Sequence, residues 1–255
     1  MSNYIDVNLN MFDYKSIELE AFQLKRGHEL GQEKFGEKWE KMIEPWEKKL
    51  RIVRAPFFDG DELNLRVSEY EWPNLQKMRM VQASQRPEDE DMSYLKNVVV
   101  LTGNAFLRTW DDRLVFHYKK GGYLNKGIHT FGGYVTSEDL AMHNSIENAI
   151  VRELCENDEL GLEKSKINIE GLFGTLQNLP SILWDFGTAA IYGDVYIEYT
   201  SKELRQKVLD MPLGETESKK LYIIQPNQLD SLVHHPNLHP QTRKVIPNLE
   251  VILYD

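Results

Sequence analysis

The sequence predicts an α+β fold with a mixed sheet, preceded by a helical extension. Three observations carry that expectation. Residues from about 15 to 50 are rich in Glu, Lys, Leu and Trp, with apolar residues at three- and four-residue steps, as on one face of a helix. From about residue 95 onward, apolar and β-branched runs follow one another across short turns, as strands do. Among those strands lies one strongly periodic helix, SIENAIVRELCEN, Ser145 to Asn157. The boundaries that follow are an extension over 1–95 and a principal domain over 96–255.

Taken in order, Phe22, Phe35, Trp39, Met42, Ile43 and Trp46 are expected to form the apolar face of the N-terminal helix. Gly27, Gly31 and Gly36 weaken the case for a single unbroken helix, and Pro45 marks a kink or boundary. Such a face suits a bundle partner, a dimer contact or a flap. Leu63, Leu65 and Val67 alternate with polar residues in ELNLRVSEY, a half-buried strand after the turn Asp59-Gly60. RPEDEDMS, Arg86 to Ser93, reads as a solvated loop or boundary. NVVVLTGNAFLRT and DDRLVFHYK form a hairpin across Trp110-Asp111-Asp112. KKGGYLNKGIHTFGG, with five glycines, reads as a loop. In the helix after it, Ile146, Ala149, Ile150 and Leu154 share a face, and Ser145 is a candidate N-cap. INIEGLFGTL and AAIYGDVYIEYT return to strands, and SKELRQKVLDM and the stretch from Pro226 to His234 are short capped helices.

Composition narrows the function classes. At 255 residues, 41% hydrophobic and 27% charged, the chain suits one large domain with an extension. A net charge of -10 argues against a general nucleic-acid binder, which carries a basic excess. Cys155 is the sole cysteine, so no intramolecular disulfide framework exists and a reducing compartment is expected. MSNYIDVNLNMF lacks the features of a signal peptide, and no run approaches the roughly 18 apolar residues of a membrane span. A soluble, cytoplasmic protein is the expectation.

Glu153 and Glu156 lie three apart on the periodic helix, so both project from one side. Carboxylates so placed suit a hard divalent cation, which takes oxygen ligands and often draws only a few from protein. Cleavage of a diphosphate linkage needs such ions to neutralise charge and activate water. Gly132-Gly133 ahead of the helix lets backbone approach closely. On the residues alone, the pair reads more simply as solvated charge on an exposed face.

The order of strands, Gly-Gly, helix and Arg152-Glu153-Leu154-Cys155-Glu156, closed by Leu160-Gly161-Leu162, resembles the Nudix hydrolases. Their box reads G-x5-E-x7-R-E-U-x-E-E-x-G-U, with U aliphatic. The resemblance covers about Asn97 to Leu249 and is specific around Gly132 to Leu162. It departs in four places. Asn144 stands where the first glutamate belongs, Asn157 replaces the last, and both the loop before the helix and the turn after it are longer. The longer loop is similar to a divergent branch with Gly-Gly-His-x-x-x-x-Asp, where Tyr134 replaces the histidine and Asp139 matches the acid.

The resemblance implies a Nudix-like α/β/α sandwich and a magnesium- or manganese-dependent hydrolase of a nucleoside diphosphate linked to another moiety. Glu153 and Glu156 would be catalytic metal ligands, with Arg152 a structural partner of Asp139 or Glu147. Glu159 would complete the metal set if the helix ends near Asn157, since on a continuous helix it points about 120° away from Glu153. Asp185 and Glu198 are further candidates. Gly132, Gly133 and Lys126 would meet the substrate, a nucleotide-like small molecule and not a nucleic-acid polymer, with no membrane partner. A homodimer through the N-terminal region is a further expectation. The alternative is a catalytically impaired Nudix-fold domain that binds a nucleotide or a protein.

Other residues read more blandly. Cys155 is a buried small side chain, not a nucleophile. VHHPNLHP, Val233 to Pro240, is a surface loop whose prolines spoil a helical zinc site. Trp39, Trp46, Trp72 and Trp110 are core or interface aromatics. Lys119, Lys120, His117 and His129 stay open between phosphate contact and ordinary structure.

Overall fold

Helices and strands are interspersed along the chain, and strand pairing is mixed. Strand β1 (Ile5–Leu9) runs parallel to β4 (Glu62–Glu71), whereas β2 (Lys48–Ile52) and β3 (Phe57–Asp59) pair with β4 antiparallel. This is the expected α+β fold with a mixed sheet, and the N-terminal helix is present. The structure is a computed structural model that describes residues 5–9, 17–44, 48–52, 57–59, 62–84, 99–119, 127–140, 144–156, 159–173, 188–211, 218–239, 242–243 and 245–246. Two compact units divide the chain. The first comprises Met1–Leu101, Tyr134–Ser145 and Leu183–Ala189; the second comprises Thr102–Gly133, Ile146–Ile182 and Ala190–Asp255.

In the first unit the N-terminal helix is two helices, α1 (Ile17–Phe35) and α2 (Lys38–Ile43), and the break falls at Gly36, whose φ is +56°. The apolar face differs from the expected one. Trp39 is buried, but Phe22 is 65% exposed and Met42 38%. The buried stripe runs instead through Leu24, Gly27, Leu30 and Gly31. Gly27 lies against the Lys77 backbone of α3 (Trp72–Ser84), and Gly31 lies under the Trp39 ring. These glycines mark close packing, and the helix continues through both. Leu24 and Leu30 pack against a core of Tyr70, Leu75, Met78, Val81 and Val100, with Trp72 edge-on to Tyr134. Helix α3 opens on Trp72-Pro73, a placement that suits proline in a first turn. Gly60, Pro45, Trp46 and the RPEDEDMS segment lie outside the described residues. A short helix, α4 (Ser137–Leu140), follows in the same unit.

Strand β5 (Val99–Thr109) enters the second unit and forms the expected hairpin with β6 (Leu114–Lys119), in register Leu107↔Val115. Its turn includes Asp112 at φ +51°. The glycine-rich stretch expected as loop contains two short strands, β7 (Gly127–His129) and β8 (Phe131–Tyr134), which pair with β6 and β5. Glycine lowers strand propensity, and here pairing to neighbours overrides it. Beyond α5 (Ser145–Cys155) come β9 (Ile167–Phe173), β10 (Thr188–Ile197), α6 (Ser201–Leu209), β11 (Ser218–Ile224) and α7 (Leu229–Val233). Arg108 on β5 donates to both Asp194 oxygens at 3.1 and 2.9 Å and to Glu170 at 2.6 Å, linking β5, β10 and β9.

The alternation along β6 decides what each face carries. Leu114 and Phe116 enter an apolar cluster with Phe106, Ile128, Tyr192, Leu229 and Leu232. Val115, His117 and Lys119 therefore lie on the opposite face. The histidine-containing run also packs more than a surface loop would. Leu238 bridges Ile128, and His239 is 9% exposed and stacked on His129 at 3.9 Å.

Candidate functional site

Helix α5 forms because four apolar residues recur on one face, and all four are buried: Ile146, Ala149, Ile150 and Leu154. It lies close to the sheet where strands offer no side chain. A Cβ at Gly193 on β10 would come within 2.9 Å of Ile150 Cδ1. Gly133 on β8 is the more consequential case, because a Cβ there would occupy the space of the Glu153 carboxylate. Its neighbour Gly132 has φ +148° and packs against the backbone of Gly103 and Asn104. The glycine pair thus builds the cradle in which Glu153 sits. At the start of the helix, Ser145 is the first helical residue, and the cap position belongs to Asn144. Asn144 is exposed at φ +67°, a left-handed conformation that asparagine adopts more readily than glutamate.

Arg152 Nη1 donates to Glu153 Oε1 at 2.8 Å and to Glu156 Oε1 at 2.9 Å. One positively charged nitrogen therefore touches both carboxylates. The Glu153 side chain is 14% exposed and that of Glu156 41%. Burial pushes the Glu153 carboxyl above its ordinary pKa and Glu156 adds to this, while Arg152 and Lys119 pull it down. Asp139 accepts from the Thr136 amide at 2.8 Å and from its hydroxyl at 3.0 Å.

The helix ends at Cys155, and Gly161, at φ +55°, turns the chain back so that its N–H meets the Glu156 carbonyl at 2.8 Å. Leu162 N–H reaches the Leu154 carbonyl at 2.9 Å, and Leu160 and Leu162 are buried. This close of the helix carries Glu159 inward, where it is 3% exposed. Lys119 Nζ lies 2.9 Å from one Glu159 oxygen, and His117 Nδ1 lies 3.4 Å from the other. His117 Nε2 is 3.1 Å from the Thr130 carbonyl, and its ring lies 4.2 Å from that of Phe131. Burial, then Lys119 and His129, drive the His117 pKa well below its ordinary value. Glu159, expected as a third ligand, thus meets His117 and Lys119 of β6, and the turn that takes it out of the helix also buries it. Among the described residues no group of three or more His, Cys, Asp or Glu is arranged to hold a metal ion.

Asn157, Lys120, Lys126 and Asp185 lie outside the described residues. Glu198 is exposed, with its amide on the Lys166 carbonyl. Cys155 is half-buried with its thiol pKa pushed up by burial, which suits an inert side chain. Trp110, expected in a core or interface, is 62% exposed beside Tyr196 at the hairpin turn. The link from Glu159 to His117 and Lys119 was open to sequence reasoning only as the two-residue spacing of the latter pair on a strand.

A two-carboxylate set fits a hard divalent cation on the structure's own terms. Gly133 leaves room for the Glu153 head group, and Arg152 shows that one cation meets both glutamates. Magnesium is often held by one or two carboxylates, with water and substrate phosphates completing its shell.

No family model and no curated protein matches the sequence. Solved structures superpose on part of it. A Nudix hydrolase from M. smegmatis, RenU, has 13% identity and TM-score 0.42, over 60% of this chain and 84% of that one. The Nudix domain of Shewanella oneidensis NrtR, solved with ADP-ribose, has 13% identity and TM-score 0.40, over 68% and 96%. DR0079 from Deinococcus radiodurans has 15% identity and TM-score 0.40, over 64% and 88%. Among the described residues, no helix is long and apolar enough to cross a membrane.

Proposed function

We propose that this chain is a Nudix-type, metal-dependent pyrophosphohydrolase that cleaves a nucleoside diphosphate linked to another moiety. The observation that carries the reading is the Glu153 carboxylate, cradled by Gly133 and joined to Glu156 through one cationic nitrogen. The match of Arg152 to Glu156 with the Nudix box supports it. Glu153 and Glu156 hold the cation, and Arg152 orients both carboxylates. A bound magnesium or manganese ion supplies charge neutralisation for the diphosphate and a more acidic water. The buried flank of Glu153 lowers the local dielectric, which strengthens each charge interaction at that carboxylate. The chain's own contribution is to place two oxygens and to exclude water from one side.

The test is a screen of nucleoside diphosphate compounds, ADP-ribose and dinucleoside polyphosphates included, with magnesium or manganese, beside Glu153→Gln and Glu156→Gln. The reading expects metal-dependent turnover with at least one compound and a large loss in both variants. Turnover unchanged in the variants overturns the site. Nucleotide binding without turnover across the panel favours the impaired-domain alternative.

A further inference from the structure

We propose that His28 is a proton-sensitive latch on the N-terminal helices: its neutral ring holds Trp39 of α2 in a slot on α1, and protonation releases it. The proposal lies within the first unit and is independent of the metal site. Trp39 is the buried residue of α2, 1% exposed. Its ring fills the space that Gly31 leaves on α1 and stacks on Phe35 at 6.1 Å and 10°. Its Nε1 donates to His28 Nδ1 at 3.1 Å. An indole N–H can only donate, so Nδ1 carries no proton and the proton of the neutral imidazole sits on Nε2.

A protonated imidazole donates from both nitrogens and accepts at neither. Trp39 would then aim its N–H at a second N–H, in a slot that admits almost no water. What opposes this is Glu40 of α2, whose carboxylate lies 3.7 Å from His28 Nε2 and accepts from Gln32 at 3.3 Å. The Glu40 side chain is 59% exposed, so its attraction for a charged ring is screened and weak. A buried donor left without an acceptor costs its whole desolvation, and that is the larger effect. The other charges around the latch do not reverse it. Lys25 shares the His28 face of α1 three residues earlier, and Lys77 of α3 lines a cleft with Glu40. Both lysines disfavour a further positive charge. Arg26 and Glu29 pair with each other at 3.4 Å. The seated indole binds the neutral ring alone, so the latch holds above the range in which histidine titrates and lets go below it.

The experiment follows the Trp39 indole resonance of the isotope-labelled full chain by nuclear magnetic resonance, from about pH 8 to about pH 5.5, where histidine changes charge. Trp39→Phe assigns the resonance, and circular dichroism checks folding. Wild type is compared with His28→Gln, whose amide oxygen accepts without titrating, and with His28→Lys, which carries a charge and no acceptor. In wild type the resonance is expected to leave its hydrogen-bonded position. Overhauser contacts from the Trp39 ring to Gly31 and Phe35 fade with it. The ratio of released to seated ring rises by up to about tenfold per pH unit, the limit for one proton. His28→Gln keeps the resonance and the contacts throughout, and His28→Lys lacks the contacts already at the alkaline end. A wild-type resonance that does not move overturns the proposal, as does a transition that persists in His28→Gln. Contacts that survive the wild-type titration, or that are intact in folded His28→Lys, overturn the release. Should wild type precipitate on acidification, the two variants at the alkaline end decide it; should His28→Lys not fold, wild type against His28→Gln decides it.

Discussion

Replacing Gly133 by alanine separates the cradle from the fold. The new Cβ would fall on the Glu153 carboxylate, which has to withdraw by roughly 1 Å or more to reach ordinary contact distance. That carboxylate is the far end of a flexible side chain, so the backbone need not move. Withdrawal breaks the 2.8 Å contact with Arg152, while Arg152 keeps Glu156 at 2.9 Å. A charge-assisted hydrogen bond is worth about 1.5–3 kcal/mol, and the remaining partner and solvent screening reduce the net cost to about 1 kcal/mol. For a chain of this size that is a fall in Tm of about 2–4 °C. Divalent-cation affinity falls further, by about 10–100-fold, because a ligand oxygen is misplaced. Gly132→Ala is the contrast. Its φ is +148°, and its Cβ would come within 2.6 Å of the Asn104 Cα, which is backbone. Strain and overpacking together cost about 2–6 kcal/mol, so this variant melts well below Gly133→Ala. Thermal melts by circular dichroism and Mn2+ titration measure both effects. Wild-type Mn2+ affinity in Gly133→Ala, or a Gly132→Ala variant as stable as Gly133→Ala, refutes the reasoning.

Two further outcomes concern the second unit away from the carboxylates. Burial pushes the Asp111 carboxyl pKa up, but hydrogen bonds from the Ser201 hydroxyl and amide and from Thr109 outweigh it and hold it at about 2, against an ordinary 3.8. A depressed folded pKa stabilises above the unfolded value, so Asp111→Asn lowers Tm by about 1–2 °C at neutral pH, the small size reflecting surface screening. The gap closes as pH falls from 3.8 towards 2, and pH-dependent melts check it. Thr200 caps α6 in a reciprocal box with Glu203, so Thr200→Ala costs about 1 kcal/mol, read from denaturant midpoints.

What the sequence made legible was mostly local. Helix α5 shows itself because Ile146, Ala149, Ile150 and Leu154 repeat at the helical period with no glycine among them. Arg152, Glu153 and Glu156 were legible for the same reason: their mutual spacing is set by one helix. The N-terminal face was misjudged because its buried stripe runs through Gly27 and Gly31, whose packing value is their lack of a side chain. Strands β7 and β8 were hidden because glycine weakens strand propensity, and their pairing to β6 and β5 is a tertiary property. The surroundings of Glu159 are the least legible. Its partners Lys119 and His117 lie about forty residues earlier in the chain, and no local pattern encodes that meeting.

Whether Glu153 and Glu156 share one divalent cation is read from a Mn2+ titration followed by electron paramagnetic resonance. One bound Mn2+ per chain is expected, displaced by Mg2+, with binding lost in Glu153→Gln and in Glu156→Gln while both variants stay folded. A wild type that binds no Mn2+, or variants that bind it as tightly as wild type, would mean that the two carboxylates hold no shared cation.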